Sequence, residues 1–195
     1  MKIHLLEGGQ GSGNFGHEGR PGKVGGSSRN TTISEEEALE YYQGLGYFEL
    51  NYFLRYGDFP KGTSLNYHLD IETALEMAES IDNSIKKGPI LTRELFVYRG
   101  RSVNPGHFIG QEFEDKGFVS TSLDAKIATE FRAYPGDAAP AENSILYRIK
   151  LPRGFQCLLL KGGEVGDQKE VLLPRKTKFV VRNIQNDVID LEITK

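Results

Sequence analysis

The segment "GDQKEVLLPR", Gly166 to Arg175, sets a glutamine two residues before a glutamate at the entrance to an apolar run. If the strand implied by Val171, Leu172 and Leu173 extends back through this triplet, alternation puts Gln168 and Glu170 on one face and Lys169 on the other. An amide and a carboxylate would then project together where a loop enters a sheet, a frequent location for chemistry. The carboxylate can stabilise developing positive charge, and the amide can offer both a donor and an acceptor. A solvated strand end would carry the same three letters, so their meaning depends on the rest of the chain.

Two more polar signatures stand at the ends of predicted strands: "VYRG" with Arg99, and "STS" at Ser120 to Ser122. The Arg99 guanidinium can bind phosphate oxygens with two parallel hydrogen bonds, which lysine cannot copy. An arginine in "YRGR" reads equally well as an exposed ion pair. Gly100 beside it lets backbone approach a ligand closely. The "STSL" stretch precedes a predicted helix, "DAKIATEFRAY", so Ser122 can cap that helix while Ser120 orients a neighbouring group.

Positioning these groups falls to helices first and strands afterwards. "SEEE" at Ser34 forms a capping box with Glu37 and starts a helix that Gly44 and Gly46 interrupt. "YFELNYFLRYG" resumes it with Tyr47, Leu50 and Leu54 on one face. A second helix covers Asp70 to Lys86, its apolar face read as Ile71, Leu75, Ala78, Ile81 and Ile85, with Gly88-Pro89 as its stop. From Leu95 onward come short strands: "LFVYRG", "FVSTSL", "SILYRIKL", "FQCLLL", "EVLLPR", "KFVVRNI" and "VIDLEIT". This order predicts an α+β domain rather than alternating βαβ units.

With 195 residues, 38% hydrophobic and 26% charged, the chain fits one soluble domain with a real core. No apolar stretch is long enough to span a membrane, and "MKIHLLEGGQ" is too short in its apolar part for a signal peptide. The single Cys157, in "FQCLLL", excludes an internal disulfide and a cysteine metal cluster, and reads as a core residue. A net charge of −3 gives no global case for nucleic acid. Residues 1–32 are expected to form a flexible Gly-rich segment and residues 33–195 the folded domain. Within that segment "GSGNFG" matches a dinucleotide fingerprint in letters only, because no buried strand precedes it and no helix follows. His17 has no second metal-type residue spaced to help it, and no metal is expected.

Arg99, the Ser120-Thr121-Ser122 triplet and Gln168-x-Glu170, in this order, resemble the motifs of the toxin-type mono-ADP-ribosyltransferases, in the branch of binary toxins and Rho-modifying exoenzymes. The resemblance covers residues 33 to 195 and implies that family's fold: N-terminal helices packed on a two-sheet antiparallel or mixed β core. It implies NAD as co-substrate, transfer of ADP-ribose and release of nicotinamide, without a metal. Tyr47, Asn51 and Arg55 take the positions of a helix tyrosine, asparagine and arginine that help hold NAD. Arg99 and Gly100 belong to the same binding set. Glu170 takes the place of the catalytic glutamate that bonds the ribose 2'-hydroxyl and stabilises an oxocarbenium-like transition state. Ser120 orients it, and Thr121 and Ser122 brace the site. Phe131 stands where the binary toxins stack an aromatic on nicotinamide. Those toxins have an arginine three residues later, where this chain has Tyr134, which leaves open a role for Arg132.

The resemblance also gives the opening pair a reading. A glutamine two before the catalytic glutamate goes with asparagine, glutamine or, in DNA-modifying relatives, guanine acceptors, and glutamate goes with arginine. Gln168 therefore argues for an amide or base acceptor, with protein favoured over nucleic acid. The loop "KGGEVGD" lacks the aromatic that many Rho-modifying relatives use to grip their target, so no small GTPase is named. "GNFGHEGRPGKVGGS" looks like a segment of bacteriophage head-associated proteins, which implies phage head components as partners and action in the bacterial host cytoplasm, with delivery in the particle. The competing readings are an NAD glycohydrolase toxin and a non-catalytic phage structural or binding module.

Overall fold

The computed structural model describes residues 32–60, 69–133, 140–160 and 169–194. Its first helix, α1 (Glu35–Tyr41), starts at the expected capping box: Ser34 accepts from the Glu37 amide, and the Glu37 carboxylate reaches back to the Ser34 amide. A π-turn over Tyr42–Gly46 follows, kinked at Gly44, and α2 (Tyr47–Tyr56) resumes the helical path. The glycines act here by what they leave out. A Cβ on Gly46 would lie 2.0 Å from the Tyr41 ring, so only glycine lets that ring close over the turn. The Tyr41 hydroxyl in turn donates to the buried Glu49 carboxylate at 2.6 Å, which also accepts from the Leu69 amide at 3.3 Å.

The long helix α3 (Ile71–Lys87) is capped by Asp70, whose carboxylate accepts from the Thr73 amide at 2.7 Å. Its buried face is Ala74, Met77, Ala78, Ile81, Ser84 and Ile85, with Ser80. The sequence reading of that face is corrected at its start: Ile71 and Leu75 are exposed. On another side of the helix two serines face the start of the chain, Ser80 donating to the Ile33 carbonyl at 2.8 Å and Ser84 to Glu35 of α1 at 3.3 Å. A satisfied hydroxyl packs between helices as well as a methyl group does, which apolar periodicity cannot show.

The strands are β1 (Leu95–Arg101), β2 (Glu112–Asp115), β3 (Val119–Ser122), β4 (Ile145–Leu151), β5 (Leu158–Leu159), β6 (Glu170–Leu173), β7 (Thr177–Gln185) and β8 (Val188–Ile193). Between β3 and β4 lies the short helix α4 (Ala125–Glu130). The strands join in one mixed sheet, ordered β2-β7-β8-β4-β1-β3-β6-β5, in which β4 and β8 run parallel and the other neighbours antiparallel. The expected two sheets are thus two halves of one ladder. β1 pairs with β4 along its whole length but meets β3 only through Tyr98 and Ser122. Past that link the halves fold over each other: Val119, Val171 and Leu173 of one share a core with Val97, Ile149, Val181 and Leu191 of the other. A second core lies under the helices, where Leu50, Ala78 and Ile81 meet Phe118, Leu160 and Leu172. This is an α+β fold of the expected class.

Candidate active site

At the junction where β1 and β3 part, a cleft partly open to solvent is lined by Tyr42, Gln43, Tyr47, Tyr98, Arg99, Gly100, Ser120, Thr121, Ser122, Ile127, Ala128, Phe131 and Glu170. The residues named from sequence come from five elements: Tyr47 from α2, Arg99 and Gly100 from β1, the serine-threonine-serine triplet from β3, Phe131 from the end of α4 and Glu170 from the start of β6.

Strand pairing explains how the polar groups converge. β3 and β6 run antiparallel with Ser122 opposite Glu170 and Ser120 opposite Leu172. Ser120 and Ser122 therefore share a face with the carboxylate. The Glu170 side chain is hydrogen-bonded to Ser120. Burial pushes its carboxyl above the usual range, while the Ser120 bond and the Arg99 charge pull the other way. Arg99 is buried at 6% exposure, and its Nη1 donates to the Ser120 carbonyl at 3.5 Å. A guanidinium placed so deep is held for an anion or for the fold, since desolvation alone opposes its charge.

Behind Ser120 runs a buried chain of hydrogen bonds. The Phe118 amide donates to Asn51 Oδ1 at 2.8 Å, Asn51 Nδ2 donates to the Tyr42 hydroxyl at 2.9 Å, and that hydroxyl lies 3.1 Å from Ser120 Oγ. Tyr42 accepts from Asn51 and so has its proton for Ser120; Ser120 in turn can donate to Glu170, because a carboxylate only accepts. Burial pushes the Tyr42 hydroxyl up to about 12, so it stays protonated across the physiological range. The Tyr42 ring packs edge-on against Phe118 at 5.8 Å.

Two residues expected to hold NAD stand outside the cleft lining. Asn51 is occupied in this chain. Arg55 forms a two-pronged pair with Asp115 at 2.8 and 3.1 Å, and Asp115 also accepts from the Gly117 amide at 3.0 Å. Burial would raise the Asp115 carboxyl, but Arg55, Arg99 and the Gly117 amide hold it below the usual aspartate value. Both residues brace the cleft wall from behind.

The helix cap and the start of β6 differ from the expectation, and the other residues take the following places. Asp124, not Ser122, caps α4 by accepting from the Lys126 amide at 3.0 Å; Ser122 Oγ accepts from the Asp124 amide at 3.0 Å. Gly100 lacks a side chain because the Ala128 carbonyl would lie 2.1 Å from its Cβ, which makes it the seat on which α4 rests. Thr121 turns its hydroxyl to the Val171 carbonyl at 2.6 Å. Arg132 is drawn away by Ser144 and Asp187. β6 begins at Glu170, and Lys169 before it has φ +49°, so the strand pleat does not run back through the triplet. Gln168 and Tyr134 lie outside the described residues. So does the N-terminal Gly-rich segment with His17.

Tyr42, Gln43, Tyr98 and Asp115 were not singled out in the sequence. Tyr42 lies just before the segment read as helical from Tyr47, and its partner Ser120 is 78 residues away. Among the described residues no group of three or more His, Cys, Asp or Glu side chains is placed to hold a metal ion. No helix among them is long and apolar enough to cross a membrane.

A family model of the ADP-ribosyltransferase exoenzymes matches residues 22–194. The chain belongs to this family. Solved structures with a similar fold include the Vis toxin, an ADP-ribosyltransferase from Vibrio splendidus, at 21% identity and TM-score 0.60, covering 83% of this chain and 73% of that one. The Clostridium limosum C3 exoenzyme matches at 21% identity and TM-score 0.58, with 83% and 85% covered. Exoenzyme S from Pseudomonas aeruginosa, solved with human 14-3-3 protein beta and carba-NAD, matches at 20% identity and TM-score 0.59, with 81% and 72% covered. A comparison with curated protein sequences found no match. As an ADP-ribosyltransferase exoenzyme the protein is an NAD-dependent transferase. The chemistry of the lining fits such a co-substrate: a guanidinium (Arg99), the rings of Tyr47 and Phe131 and a carboxylate (Glu170) border one cleft.

Proposed function

We propose that this exoenzyme moves ADP-ribose from NAD to an amide side chain or a nucleobase rather than to arginine, and that a protein is its acceptor. NAD brings a ribose–nicotinamide bond whose cleavage develops positive charge on the sugar. Glu170 meets that charge with its carboxylate, Ser120 fixes the carboxylate's direction, and Tyr42 and Asn51 keep Ser120 in line. Arg99 binds the diphosphate, and the rings of Tyr47 and Phe131 flank the base. The observation that carries the reading is the Glu170 carboxyl, hydrogen-bonded to Ser120 in the same cleft as the buried Arg99.

The acceptor reading rests on Gln168, two residues before Glu170 in sequence. An amide offers another amide or a base edge both a donor and an acceptor, whereas a carboxylate pairs a guanidinium. The net charge of −3 favours protein over nucleic acid. The phage-like N-terminal segment supports a target in the bacterial cytoplasm.

The test compares the wild type, Gln168→Ala and Glu170→Ala for nicotinamide release and for label transfer from labelled NAD into a bacterial lysate. Loss of transfer with residual release in Gln168→Ala, and loss of both in Glu170→Ala, is expected. Release without transfer by the wild type would make the protein an NAD glycohydrolase. Unchanged transfer by Gln168→Ala would overturn the acceptor reading.

A further inference from the structure

Lys169 is fixed at both of its ends immediately before Glu170. Its backbone has φ +49°, the left-handed region that costs a lysine roughly 1–2 kcal/mol. Its carbonyl accepts from the Leu123 amide at 3.1 Å, and its amino group reaches Asp124 Oδ2 at 3.3 Å. Asp124 divides its two oxygens: Oδ1 caps α4 through the Lys126 amide, and Oδ2 takes Lys169. The Asp124 amide in turn donates to Ser122 Oγ, and Ser122 sits opposite Glu170 in the ladder. One exposed ion pair thus ties the residue before the glutamate to the turn after the serine-threonine-serine strand.

We infer that Lys169 is a positioning residue for the reaction, and that its tether to Asp124 holds the backbone turn that aims Glu170 at Ser120. The inference rests on Glu170 being the catalytic carboxylate. A left-handed lysine has a competing right-handed or extended alternative, and either one takes the Lys169 carbonyl from the Leu123 amide and loosens the end of the β3–β6 ladder that directs Glu170. The tether opposes that relaxation. It lies on the surface, with Lys169 and Asp124 side chains 49% and 35% exposed, so its strength is modest. An exposed pair is weak, so the expected loss is only about two- to fivefold in rate.

The test measures nicotinamide release by the purified full chain for wild type, Lys169→Met, Lys169→Arg, Asp124→Asn and the Lys169→Met/Asp124→Asn double variant, with Glu170→Ala as the reference for the catalytic assignment. Asparagine caps a helix as well as aspartate does, so Asp124→Asn removes the charge and keeps α4. Lys169→Met and Asp124→Asn should each lower kcat two- to fivefold with KM for NAD unchanged, because Arg99 and the rings are untouched. Lys169→Arg should restore kcat. The double variant should be no slower than either single one, since both remove the same contact. Wild-type kcat in Lys169→Met, or additive losses in the double variant, would overturn the inference. If Glu170→Ala keeps wild-type release, the catalytic assignment fails instead.

Discussion

The Tyr42 hydroxyl stands 3.1 Å from Ser120 Oγ and accepts a hydrogen bond from Asn51 Nδ2 at 2.9 Å, which joins the π-turn between α1 and α2 to the β3–β6 strand pair. Tyr42→Phe removes that oxygen and leaves the Asn51 amide buried without its acceptor, a loss of about 1–3 kcal/mol in a denaturant melt. Ser120 also loses its external guide, and nicotinamide release should fall by roughly 10- to 100-fold. Unfolding and turnover measured on one preparation check both effects.

Glu170 carries opposed demands. Burial raises its carboxyl, and a raised carboxyl costs the folded state stability above its own folded value, a cost that disappears below the unfolded one. Glu170→Gln should therefore raise Tm at neutral pH. The wild-type rate of nicotinamide release should fall on acidification with an apparent midpoint above the ordinary glutamate value of 4.5, as the carboxylate takes up a proton. A thermal melt and a pH–rate profile measure the two.

Asp115 holds Arg55 at 2.8 and 3.1 Å, with side chains 17% and 15% exposed. Asp115→Asn keeps an acceptor for the Gly117 amide but removes the Asp115 charge from its two-pronged bond with Arg55, at a cost of about 2–3 kcal/mol. The Asp115 carboxyl lies below its ordinary value of 3.8, so its contribution is complete above that value and is lost as pH falls through the lowered folded one. The stability difference between wild type and Asp115→Asn should be constant from neutrality down to about pH 4 and shrink below it. Denaturant melts across acid pH test this.

The single methyl of Gly100→Ala would meet the Ala128 carbonyl at 2.1 Å and Arg132 at 3.1 Å. Backbone cannot yield as a side-chain tip can, so α4 must lift from β1, at about 1–3 kcal/mol. Since α4 carries Ile127 and Phe131 into the cleft, KM for NAD should rise several-fold. Steady-state kinetics beside a melt separate the two.

What could be read from sequence was what lies close along the chain. The Ser34–Glu37 capping box, the Asp70 start of α3 and the apolar strands from β3 to β8 each depend on neighbours a few residues away. β2 was not legible: "EFED" has one apolar residue and takes its strand form from pairing with β7 at the sheet edge. Asn51 and Arg55 matched a motif, but the partners they hold, Phe118 and Asp115, lie 67 and 60 residues away. The early end of α4 reflects Phe131, whose backbone leaves the helix at φ −80°, ψ 4°. Long-range pairing decided each of the braces and the edge strand, and no local pattern encodes it.

The most direct test of the central claim is nicotinamide release from NAD by wild type and Glu170→Gln side by side, each verified as folded. Release by the wild type, with a loss of at least about 100-fold in Glu170→Gln, is the expected result. Equal release by a folded Glu170→Gln would contradict the assignment of Glu170 as the charge that cleaves the bond.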